Sequence, residues 1–256
     1  MPARFLPNSD VQRTSALDLA FIKRPTVAAD QQPVSQDLAD TLIAQRTTWR
    51  AAINAAATAL SAQTKATAAA ATQGQRLEMF ISHFFQTFNL AVARDDFPAS
   101  ARAFYQLEVS NAAVPPVITH ADRLTWAQNI IDGETARATA DGAAYKPMKL
   151  PSAAGLPDDN GVNDNVAAEL AAYLPLTKTA STAKDAYDTA QETVQNLRPA
   201  VDAVIVDVWD AVEYFHRHDD ASSLRRKASE WGVVYITRPG ETPAPAPTPT
   251  PTPPPA

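Results

Sequence analysis

The stretch Gln75-Arg-Leu-Glu-Met-Phe-Ile-Ser-His-Phe-Phe-Gln-Thr-Phe-Asn-Leu-Ala-Val-Ala-Arg94 decides the fold class. At 100° per residue, Leu77, Ile81, Phe84, Phe85, Phe88 and Val92 fall within one narrow arc, with Phe80 and Ala91 at its borders. A helix that carries so much aromatic surface on one side must bury it, so residues 75–94 are expected at the centre of a core. Asp95 and Asp96 end the helix, and Pro98 suits the first turn of a short helix over 99–107.

Helical patterning spreads outward from this segment. Upstream, Pro33 and Ser35 mark a helix start, with Ser35 as N-cap and Asp37 at the positive end of the dipole. Leu38, Leu42, Trp49, Ile53, Ala56 and Leu60 then recur at helical spacing, and Gly74 is expected to break or bend the chain. Residues 1–34 read as an arm interrupted by Pro2, Pro7, Pro25 and Pro33, with one or two helical turns over 15–22. Downstream, Pro115-Pro116 sit in a loop over 108–119, and a helix follows over 120–139. Residues 141–165, rich in Gly, Pro, Asp and Asn, read as a long loop.

Val166, Leu170, Tyr173 and Leu174 start a further helical stretch that Pro175 is expected to break. The pattern resumes through Val194, Val201, Val204, Val208, Val212 and Phe215, with Pro199 kinking or restarting it. Asp219-Asp220 end it, and a short helix is expected over 222–230. Val233-Val-Tyr-Ile236 is β-prone and needs a partner strand. Residues 241–256, with proline at nearly every second position, cannot build a core and read as a disordered tail.

Two stretches share a layout: a helix, an acidic stop, a short helix and a β-prone run, Phe104–Val109 in one and Val233–Ile236 in the other. The expected fold is therefore all-α: a bundle of about four main helices within 35–240, arranged on one reading as two pseudo-repeated hairpins, with a minor β-ribbon.

Composition narrows the chemistry. The 256 residues contain no cysteine, which removes disulfides, thiolate metal sites and cysteine nucleophiles. A net charge of −6 lacks the basic footprint that phosphate binding needs, so no nucleic acid is expected as partner. The basic cluster Arg225-Arg226-Lys227 reads as a solvated helix face. No apolar run approaches the length of a membrane span, and the N-terminus lacks a cationic start followed by an apolar run, so neither membrane insertion nor a standard signal peptide is expected. Alanine, the strongest helix former, makes up about a fifth of the chain.

Few residues are placed for chemistry. Glu213 and His216 form Glu-x-x-His, the spacing of di-iron bundles, but a di-iron site needs a second copy and two further inward carboxylates. Glu78 with His83 has the wrong spacing, and Glu213 points about 120° from the Val201–Phe215 stripe. His83, His120 and His218 stand in no catalytic motif, and glycine-rich phosphate loops are missing from the sequence. No catalytic, cofactor-binding or metal-binding residue is therefore assigned, and no enzyme is expected.

The opening Arg4-Phe-Leu-Pro-Asn-Ser-Asp10 and the closing Trp231-Gly-Val-Val-Tyr-Ile-Thr-Arg-Pro-Gly240 resemble the ends of a group of alanine-rich helical bacterial proteins with no assigned function. The resemblance implies a helical body and a variable or proline-rich C-terminus, and carries over no activity, ligand or site residue. The expected function is a non-catalytic structural or protein-interaction role, with self-association as a homo-oligomer. The alanine-rich stretch 51–72 either packs on the body or pairs with another subunit. The alternative is a helical module that binds an apolar ligand or a partner protein.

Overall fold

The computed structural model describes residues 3–145 and 162–236; the central part of the expected long loop and the proline-rich tail lie outside the described residues. The fold is all-α. Five α-helices follow in order: α1 (Asp10–Lys23), α2 (Gln36–Ala93), α3 (His120–Asp141), α4 (Val162–Phe215) and α5 (Ala221–Ser229). Strands β1 (Ala3–Arg4) and β2 (Tyr235–Ile236) form an antiparallel ribbon, with Ala3 opposite Ile236 and Arg4 opposite Tyr235.

Several breaks expected from the sequence are not breaks. α2 is one helix through Gly74, and α4 is one helix through Pro175 and Pro199. Gly74 is there for contact: a Cβ at this position would lie 3.1 Å from the ring of Tyr173, so the bare backbone makes room for that side chain. After Pro175, Thr177 Oγ1 donates to Leu174 O and Thr179 Oγ1 to Pro175 O, both at 2.8 Å, while the carbonyl that loses its backbone donor to the proline is that of Ala171. Helix starts are better marked. Ser35 Oγ accepts from Leu38 N at 3.3 Å, Thr119 and Asp122 form a capping box before α3, and Asp220 accepts from Ser222 N and Ser223 N.

The described residues group into two compact units, one drawn from Met1–Ala57 with Asp188–Ala256, the other from Thr58–Tyr187. In the first unit, the segment expected to make one or two turns is the 14-residue helix α1, with Ala16, Leu17 and Ala20 buried. They pack in one cluster with Leu42 and Trp49 of α2, with Val201, Val208, Trp209 and Val212 of α4, and with Trp231 and Val233. The polar side of α1 is also tied down. Arg13 donates to both oxygens of Asp202 at 2.8 and 2.9 Å, and Arg198 to both oxygens of Asp10 at 2.9 and 2.8 Å. Asp18 accepts from Arg46 and Arg50, and Trp49 Nε1 donates to Thr14 Oγ1 at 2.8 Å. The ribbon differs from the one expected. Phe104 and Tyr105 belong to a 3-10 helix, Ala99–Tyr105, so the partner of Tyr235–Ile236 is the N-terminal Ala3–Arg4, helped by Phe5 N donating to Val234 O at 2.8 Å.

The second unit is built on the aromatic arc of α2. Leu77, Phe80, Ile81, Phe84, Phe85 and Phe88 are all buried, with Tyr105, Ala127 and Ile130 in the same cluster. The rings meet edge to face, Phe84 and Phe88 each against Tyr105 at centroid distances of 5.0 and 4.9 Å. Phe84 and Phe88 have no exposed surface, so Phe84→Ala or Phe88→Ala is expected to cost about 3–5 kcal/mol in urea unfolding. A loss under about 1 kcal/mol would show that the ring is not packed.

The ion pairs around α1 set an acid limit for the first unit. Hydrogen bonds from Arg198, opposed by burial, hold Asp10 below the ordinary carboxylate value. Burial raises Asp18, but bonds from Arg50 and Arg46 outweigh it and bring that group below its ordinary value too. A carboxyl whose folded-state value is depressed stabilises fully above the unfolded value and loses that contribution as the pH falls through the folded one. The melting temperature should therefore be flat above about pH 5 and fall as the pH drops below about 4, and Asp10→Asn should flatten part of that fall.

Candidate functional site

Three places in the described residues gather polar side chains: a closed centre and a partly buried set in the second unit, and a set of surface clefts in the first.

The closed centre begins on α3. Ala127 and Ile130 occupy its core face, and the same face continues at Glu134 and Arg137, which have 0% and 1% exposure. A buried carboxylate costs several kcal/mol unless it is paired and bonded, and Glu134 is both. Arg137 Nη2 donates to its two oxygens at 2.8 and 3.0 Å, and Arg137 Nε to Oε1 at 3.1 Å. Tyr105 Oη donates to Oε1, and Tyr145 Oη to Oε2 at 2.6 Å. The Arg137 guanidinium lies 4.6 Å over the ring of Phe97 and 4.9 Å over that of Tyr145. Gly133 makes this possible: a Cβ there would sit 2.3 Å from the Tyr105 ring, which lies directly on the α3 backbone.

These groups restrain one another. Burial and then the Glu134 carboxylate push the Tyr105 hydroxyl well above its ordinary value, and the same two causes push Tyr145 up to about 12. Both phenols therefore remain donors at neutral pH. Sequence reading assigns a role to none of these four residues. The visible signal is that Ala127, Ile130, Glu134 and Arg137 recur at steps of three and four, so the core face of α3 runs into two opposite charges three residues apart.

A second polar set joins α2, α3 and α4 in the same unit. Glu169, 9% exposed, accepts from Arg76 at 2.7 Å and Gln73 at 2.5 Å. Arg123 donates to Glu78 at 2.9 Å, and His120 Nδ1 lies 2.8 Å from the Tyr173 hydroxyl.

In the first unit, Glu213 and His216 line different cavities. Glu213 borders a cleft of about 520 Å³ with Arg4, Asp210, Tyr214, Arg217 and Leu224. There it accepts from Tyr235 Oη at 2.8 Å and lies 3.8 Å from the Arg4 guanidinium. His216 borders a smaller cavity of about 170 Å³ with Lys23, Val27, Phe215 and Trp231, and its Nδ1 is 3.1 Å from Asp219. The structure does not bring the pair together. Phe215, expected inward, is 38% exposed, and His83 is exposed as expected. In the basic cluster, Lys227 Nζ binds Asp219 at 2.8 Å. Among the described residues, no group of three or more His, Asp or Glu is placed to hold a metal ion, and no helix is long and apolar enough to cross a membrane.

No protein-family model, curated protein or solved structure matches the chain.

The closed centre predicts two different mutational costs. Glu134→Ala leaves the Arg137 guanidinium buried without its carboxylate and should cost about 3–5 kcal/mol in denaturant unfolding. Gly133→Ala forces the Tyr105 ring off the backbone and should cost about 1–3 kcal/mol, as overpacking does. Unchanged unfolding midpoints in both variants would show that neither the charge nor the close approach constrains the unit.

Proposed function

We propose that the chain is a non-catalytic structural protein that associates with copies of itself. The observation behind this reading is a helical stretch with no core. In the second unit, no residue of α2 from 58 to 73 and none of α4 from 174 to 187 is buried. Half-buried positions recur at Ala59, Gln63, Ala66, Ala70 and Gln73, and at Leu176, Ala180, Ala183 and Tyr187, in steps of three and four. This is the spacing of a helix–helix seam. Its side chains are mostly small, so the two stretches contribute helix length and little apolar burial. A chain that commits this many described residues to helix without a buried core fits a structural role better than a catalytic one.

The open ribbon supports association. Among the described residues each strand has one neighbour, and Val234 and Ile236 are exposed beside it. The resemblance of the chain's two ends to alanine-rich bacterial proteins is compatible with this reading. So is the idea that α2 and α4 descend from a duplicated hairpin, since each ends at an acidic pair followed by a short helix.

A second reading, a module that binds an apolar ligand or a partner protein, is favoured by the cleft beside Glu213, whose lining includes Tyr214 and Leu224. Multi-angle light scattering on the full chain across a range of micromolar concentrations separates the two. Self-association predicts a mass that rises above 27.4 kDa with concentration. A constant mass of one chain would remove the self-association reading and leave the binding module.

A further inference from the structure

We infer that the outer face of α1 is the surface through which two copies meet, as an isologous pair of antiparallel α1 helices crossing at Ser15. This inference rests on the self-association reading and names the contact.

Four observations lead to it. First, α1 buries one side fully and leaves the other apolar: Val11 is 80% exposed, Leu19 42% and Ile22 61%. With Ser15 they form a stripe at steps of four, four and three. Large exposed apolar side chains scattered singly need no explanation, but a contiguous row does. Second, the row continues onto its neighbours. Val11, Ser15 and Leu19 share a shallow depression of about 510 Å³ with Ile53 of α2, which Thr14 and the arginine-paired carboxylates of Asp10 and Asp18 also line. Ser15 and Leu19 also border a groove with Phe5, Pro7 and Val234 on the ribbon side, and Leu6 beside it is 52% exposed.

Third, the face carries no free charge. Every charged residue of α1 is engaged elsewhere: Asp10 with Arg198, Arg13 with Asp202, Asp18 with Arg46 and Arg50, and Lys23 with Glu230. The exposed positions from 11 to 22 are Val11, Gln12, Ser15, Leu19 and Ile22. In a chain of net charge −6, a neutral stripe is the surface on which two copies meet without opposing like charges. An acidic lipid surface would call for free Lys or Arg here, and a basic partner for free Asp or Glu. The charge pattern thus favours a second copy as occupant.

Fourth, the side chains suit a twofold axis. Ser15, the smallest residue of the stripe, lies midway between Val11 and Leu19. With the axis at Ser15, two helices approach closely, Val11 of each packs on Leu19 of the other, and Ile22 reaches the entry to α1 at Leu6 and Pro7 of the other copy. Antiparallel packing also sets the helix dipoles favourably.

The test uses the full chain and its lack of cysteine. Val11→Lys and Leu19→Glu each place a charge in an apolar contact and should weaken association at least about tenfold in light scattering. Both positions are solvent-facing in the single chain, and circular dichroism with a melting curve confirms that each variant folds. The double variant sets the ammonium introduced at position 11 of one copy against the carboxylate introduced at position 19 of the other. It should recover association, as should an equimolar mixture of the single variants. Ser15→Cys should form a disulfide-linked dimer on mild oxidation, while Ala62→Cys, on the exposed side of α2, should not. A wild-type chain that is monomeric at every concentration overturns both the contact and the self-association reading. A wild-type oligomer that neither Leu19→Glu nor Val11→Lys weakens, and that Ser15→Cys does not cross-link, overturns this contact and leaves the broader reading standing.

Discussion

The second unit depends on a carboxylate with no access to water. Glu134 sits at 0% exposure, and its charge is tolerated because Arg137, Tyr105 and Tyr145 all donate to it. Those three donors come from different places in the chain: the same turn of α3, the 3-10 helix Ala99–Tyr105, and the residue closing the turn after α3. One anion therefore dictates where each of them lies. Gly133 is part of the same constraint, since the Tyr105 hydroxyl can reach Glu134 only if its ring lies on bare backbone. Phe84 and Phe88 of α2 meet that ring edge to face. An apolar core alone would not specify this arrangement, because apolar contacts are not directional.

The first unit uses the opposite device. Its hydrophobic cluster has Trp49, Trp209 and Trp231 among its largest buried side chains, and the charges, of which Arg13 is buried, stand along α1. These pairs are partly exposed, so each adds modestly to stability. Their larger effect is on what α1 presents to solvent. By pairing Asp10, Arg13, Asp18 and Lys23, they leave an exposed row of uncharged side chains with no unpaired α1 charge beside it. The segment that follows α5 borders that face. Gly232, at φ +88°, turns the chain so that its α-carbon lies against the backbone of Ala16, and Val234 emerges beside Leu19.

The coreless stretches of α2 and α4 explain why alanine is so abundant. A helix without a buried apolar face is marginal in water, and alanine gives the least conformational penalty for remaining helical. Small side chains also let one helix lie close to another along a narrow seam. The half-buried alanines at 59, 66 and 70 fit both demands.

By itself, the sequence determined what depends on neighbours along the chain. The aromatic arc of α2, the cap at Ser35 and the stripe from Val201 to Val212 are periodic or local signals, and the helices carry them as read, whereas Asp220, read as the end of one helix, also caps the start of the next. Gly74 and Pro175 were misleading because their local preferences are weak against their surroundings: Gly74 lies inside a 58-residue helix with the Tyr173 ring close to its backbone, and Pro175 costs one hydrogen bond within a 54-residue helix. The pairing of residues 3–4 with 235–236 and the placing of Tyr105 beside Glu134 were decided by tertiary structure alone. Both join residues far apart in sequence, and neither leaves a periodic trace. The same holds for the outer face of α1. Which side of a short amphipathic helix faces solvent depends on the partners that claim the other sides, and those come both from α2, at Leu42, Trp49, Arg46 and Arg50, and from α4, more than 180 residues away, at Arg198 and Asp202.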